Sequence, residues 1–108
     1  KTLRLVAHYA DACNLFAFMG ADALRHKLDV LKRHCDAVGR DYATIERTLL
    51  APYSVGPDER GISSVIANCR TWAALGFQHV IFTSVPNVHT LAPLDIIGRE
   101  VIPAVADL

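Results

Sequence analysis

Five histidines and three cysteines are the residues of this 108-residue chain best able to do chemistry. His8, His26, His34, His79 and His89 could move protons, and Cys13, Cys35 and Cys69 could act as thiolate nucleophiles or metal ligands. Their spacing points elsewhere. His26 and His34 lie eight apart in a polar helical stretch and read as solvated. His79 precedes a strand at its amino end, the wrong rim for chemistry, and reads as structural. His89 falls in a loop on the ligand-binding rim but has no neighbouring acid or metal partner. The cysteines form no CxxC pair and no zinc-ligand spacing, so they read as free thiols in a reducing cytosol. His34 and Cys35 point in different directions around a helix and do not make an activated thiolate.

Other polar residues add little catalysis. Ser54 and Ser84 lack a nucleophile elbow, Ser63 and Ser64 read as a helix start, and Asp58 and Glu59 as solvated loop acids. No catalytic residue and no metal ligand is assigned. Asn14 is the most informative polar side chain. Inside a buried strand its amide must find partners, supplied either by the core or by a ligand at the strand's carboxyl end. Phe16 and Phe18 nearby either wall a pocket or pack the core.

The elements that carry these residues follow from periodicity. Leu3, Val6, Ala7 and Ala10 predict an amphipathic helix over 2–10, ended by Asp11. Residues 12–18, ACNLFAF, predict a short strand covered on both faces. Leu24, Leu28, Leu31, Cys35 and Val38 predict a helix of about four turns, with Asp22 in its first turn and Gly39 at its C-terminal cap. A strand beginning near Glu46 should stop by Ala51 or Pro52, because proline cannot donate to a ladder. After a GPDERG loop, Ile62, Val65, Ile66, Cys69, Trp72 and Ala73 mark a third helix closed by Gly76. Residues 79–85, HVIFTSV, carry the strongest β signal and predict a central strand. Residues 86–90 read as a loop. Leu94, Ile97, Val101 and Val105 predict a last helix over 91–108, bent or limited by Pro103.

Three strand-then-helix units thus start near Ala12, Glu46 and His79, which implies one α/β domain over residues 1–108 with a parallel sheet. The strands' carboxyl ends, near 14–18, 52–54 and 83–87, should share one rim. The chain opens directly on a helix, with no preceding cap, strand or Met, which reads as a fragment. Eleven basic and eleven acidic side chains balance to a formal net charge of zero, so no broad field favours nucleic acid or an anionic membrane. No apolar run approaches a membrane span of about 20 residues. The 52% hydrophobic content is ample for a core.

The runs TLRLVAHYADACNLF, LRHKLDVLKRHCDAVGRDYATIERT and WAALGFQHVIF resemble the carboxyl-terminal part of the luciferase-like monooxygenase family. The resemblance is greatest to its deazaflavin (coenzyme F-420)-dependent oxidoreductase branch. It implies that the three units form part of a (β/α)8 barrel in which hydride passes between a reduced deazaflavin or FMN and a small organic substrate. On that template Lys1 and Thr2 match the first helical turn on the cofactor's phosphate side, and Asn14 and Phe16 match the strand end facing ring and substrate. Cys13 departs from the family, which often has a bulky aromatic there. The strands carrying most catalytic groups would lie outside this stretch, so the chain alone should not turn over. Its parent would be a cytoplasmic enzyme.

A second reading is a non-catalytic α/β module. A three-strand arc leaves both sheet edges and its inner face exposed. Such a module should self-associate through those edges as a homo-oligomer.

Overall fold

The computed structural model describes residues 1–53, 59–83 and 88–108. Three strands, β1 (Ala12–Phe16), β2 (Glu46–Pro52) and β3 (His79–Thr83), form one sheet in the order β1-β2-β3 with every pairing parallel. Helix α1 (Thr2–Tyr9) precedes β1, α2 (Ala21–Val38) links β1 to β2, and α3 (Glu59–Leu75) links β2 to β3. Each connection returns the chain to the neighbouring strand, so spatial order follows sequence order. The strand with the strongest β propensity, β3, therefore lies at an edge and not in the centre as its composition suggests. Propensity measures how a side chain fits a pleated surface, while rank in the sheet is set by the crossovers.

All the helices described in contact with the sheet cover the same side of it. Ala7, Cys13, Leu31, Cys35 and Ile45 form one buried cluster between α1, β1 and α2. Leu24, Leu28, Leu49 and Phe77 form a second beneath α2. Tyr53, Val65, Cys69 and Val101 form a third under α3 and the C-terminal segment, where the Tyr53 and Phe82 rings meet edge to face at 5.4 Å. The odd-numbered strand residues Cys13, Leu15 and Leu49 enter these clusters. Consequently β1 is not covered on both faces. Its residues alternate between buried or half-buried and exposed, and Asn14 lies on the uncovered side.

Arg47 is the exception on the covered side. It is only 9% exposed, yet its guanidinium faces carbonyls and, among the described residues, no carboxylate. Nε donates to Gly76 O at 2.8 Å, and Nη1 donates to Tyr42 O at 3.1 Å and Ile45 O at 2.8 Å. The Tyr42 ring lies 4.6 Å beneath the cation. One side chain of β2 thus holds the turn after α3 and the turn before β2 together.

Several boundaries differ from the sequence expectation. The extended run stops at Phe16, and Ala17–Met19 form a 3-10 turn. Helix α3 begins at Glu59, so Gly61, Ser63 and Ser64 lie within it and do not start it. Ser54, Asp58 and Ser84 lie outside the described residues. Gly39 and Gly76 close α2 and α3 at φ 69° and 103°, a conformation that glycine adopts without strain. The last helix is broken into α4 (Ala92–Ile96), a π-helical turn (Ile97–Val101) and α5 (Ile102–Val105). Pro103 has no N–H for an α-helical bond to Arg99, and the wider turn absorbs that loss. Val38 at the end of α2 and Leu94 in the short α4, both on expected apolar stripes, are exposed.

Candidate functional site

The uncovered sheet face is built in layers by strand register. Asn14 pairs with Thr48 and Thr48 with His79, so these three side chains form one row across the sheet. Two residues further along, Phe16, Leu50 and Ile81 form the next row, because alternate residues of a strand share a face. A polar row thus lies beneath an apolar one. Thr48 Oγ1 donates to Asn14 Oδ1 at 2.8 Å. His79 Nδ1 lies 3.2 Å from Glu46 Oε1. A carboxylate only accepts, so Nδ1 carries the proton in that contact. The pairing leaves the Asn14 amide hydrogens and His79 Nε2 to other partners.

Of the four residues the sequence singled out, three are brought together. Thr2, Asn14 and Phe16 line one open depression of about 450 Å³ along the free edge of β1, with Leu3, Val6 and Met19. Phe16 stacks against Phe18 at a centroid distance of 5.4 Å. Lys1 is split from them. It borders a separate depression with Arg4, Leu5 and His34. No side chain caps the first turn of α1 and no acid lies in it, so the N–H groups of Thr2 and Leu3 face no competing carboxylate.

The remaining candidates sit apart from this face. Cys13, Cys35 and Cys69 are free and buried. Desolvation raises each thiol's pKa, and at Cys35 the nearby Arg40 offsets only part of the rise while Asp36 and Asp41 add to it. A buried thiol held protonated is a poor nucleophile. Cys69 also lines an apolar cavity of about 270 Å³ with Phe77, Val80, Phe82, Ile97 and Val101. His8, His26 and His89 are exposed.

Sequence reasoning missed Thr48 and the Glu46–His79 pair. Glu46 and Thr48 share the uncovered face of β2, but Arg47 between them is polar too, so alternation did not mark that face in the sequence. Only pairing register shows that Asn14 and His79 flank Thr48. Among the described residues, no three His, Cys, Asp or Glu side chains cluster to hold a metal ion. No helix among them is long and apolar enough to cross a membrane. Compared with models of known protein families and with curated proteins, the chain matches none.

Proposed function

We propose that the chain is the carboxyl-terminal part of a flavin- or deazaflavin-dependent oxidoreductase, contributing three units to a (β/α)8 barrel and inactive by itself. The observation that supports this reading is the winding of the sheet. Three parallel strands in sequence order, with helices on one side only, suit an arc of a barrel, in which every crossover helix lies on the outer side of the sheet. Asn14, Thr48, Phe16, Leu50 and Ile81 would then face the barrel interior.

In the assembled enzyme the cofactor would supply the hydride chemistry. Thr2 and the first-turn N–H groups of α1 would hold its phosphate side, with Lys1 adding charge from the flank. Phe16 would pack against the ring or substrate, and the Asn14 amide would donate to a carbonyl on either. A spectral titration of the full-length polypeptide with FMN and with coenzyme F-420 tests this. Saturable perturbation of one cofactor's absorption is expected, weakened roughly tenfold by Thr2→Glu, which sets a like charge against the phosphate. Binding of neither cofactor would remove the enzyme assignment, and tight stoichiometric binding by the 108-residue chain alone would contradict its incompleteness.

A further inference from the structure

On the helix-covered side of the sheet, away from Asn14 and Phe16, lies the apolar cavity of about 270 Å³. Its walls come from three elements: Cys69 and Ala73 of α3, Val80 and Phe82 of β3, and the segment from Ile97 onward. Val80 and Phe82 pair with Leu49 and Ala51, both fully buried, so the cavity lies behind the face that a barrel would enclose. Val101 is 1% exposed and Cys69 7%, which shields its inner end. The π-helical turn Ile97–Val101 places both of its terminal side chains on the wall, and such turns are frequent at functional sites. No ionised side chain lines the space, and burial holds the Cys69 thiol in its neutral form. Gln78 supplies a polar group at the mouth. It is exposed, its Oε1 accepts from the Arg47 N–H at 3.2 Å, and its two amide hydrogens remain to donate.

We propose that this cavity binds a small, neutral, mostly apolar molecule carrying one hydrogen-bond acceptor, which the Gln78 amide engages at the mouth. Volume sets the size. A dry apolar cavity of ~150 Å³ admits benzene, so 270 Å³ holds a substituted ring but falls below the roughly 300–1,000 Å³ of pockets for larger ligands. Lining chemistry sets the polarity, because a carboxylate or ammonium inside would lose its hydration with no opposite charge in reach. The Gln78 amide sets the acceptor, since a donor covered on binding must be paired. The site lies on the helix side of the sheet and is independent of the oxidoreductase reading.

Three probes test it: acetophenone with a carbonyl acceptor, toluene without one, and benzoate with a charge. In the 108-residue chain and in the full-length polypeptide alike, acetophenone and toluene should give saturable shifts of the Val80, Val101 and Val105 methyl NMR signals, and benzoate none. Gln78→Glu keeps the acceptor for the Arg47 N–H and removes the donors. It should weaken acetophenone roughly three- to tenfold and leave toluene within about twofold. Ala73→Leu adds bulk inside the cavity and should weaken both roughly tenfold or more. Absence of saturable shifts, benzoate binding at these methyls, or equal effects of Gln78→Glu on both neutral probes would each overturn the proposal. Uptake by the 108-residue chain that is lost in the full-length polypeptide would show the space filled by the parent's own residues and overturn it equally.

Discussion

Thr48 of the central strand donates a 2.8 Å hydrogen bond to Asn14 of the neighbouring edge strand, tying β1 to β2 by side chains as well as by the backbone ladder. Thr48 is 7% exposed while Asn14 is exposed, so the bond is shielded on one side only. Thr48→Val keeps the shape and removes the donor. It should cost about 1 kcal/mol, or a fall of roughly 4–8 °C in Tm for a domain of this size. Asn14→Ala should then cost less in a Thr48→Val background than in the wild type, because the two side chains share one interaction. Equal costs in a thermal double-mutant cycle would show that the bond contributes nothing.

Arg47 should be the most costly polar residue to replace. Truncation to Ala removes the donors from the carbonyls of Gly76, Tyr42 and Ile45 and opens space beneath β2. We expect a loss of about 2–4 kcal/mol in urea unfolding. Arg47→Lys should recover less than half, since an ammonium cannot reproduce the planar fork that spans these carbonyls. Full recovery by Lys would reduce the role of Arg47 to charge alone.

The thiols and two tyrosines set the alkaline behaviour. Burial raises the pKa of Cys13, Cys35, Cys69, Tyr42 and Tyr53 above their ordinary values. The folded chain therefore holds these protons more tightly than the unfolded one. The associated stability is fully present below the unfolded thiol pKa of about 8.5 and is lost as pH rises through the raised folded values. Urea midpoints should be unaffected by these groups up to about pH 8 and fall above about pH 9. Cys35→Ala should lower stability at neutral pH but flatten the alkaline fall. The thiols should also react with an aromatic disulfide reagent far more slowly in the native chain than in urea.

Gly39 ends α2 at φ 69°, where an added Cβ would meet nothing within 4 Å. The cost of Gly39→Ala is thus purely conformational, about 1 kcal/mol, and Gly39→Asn should cost less because Asn tolerates the left-handed region. Chemical denaturation of the two variants checks the order. Reversal would indicate that the cap is not held in this conformation.

The amino-acid sequence by itself determined the elements and their kind. Leu24, Leu28, Leu31 and Cys35 recur at helical spacing and are all buried on α2, and the segments expected as strands from near Ala12, Glu46 and His79 are strands. Gly39, Gly76 and Pro103 interrupt the helices because their effect is local, a matter of backbone geometry and missing donors. Tertiary structure decided what faces what. Asn14 reads as buried because its neighbours are apolar, yet every helix in contact with the sheet covers the opposite side and leaves it open. Thr48 gains its meaning only from register, which places it between Asn14 and His79, and Arg47 becomes a structural bridge only when the ends of α3 and β2 meet. Alternation along a strand defines two faces, but which one is covered depends on how successive connections cross the sheet, and that is a property of the whole chain.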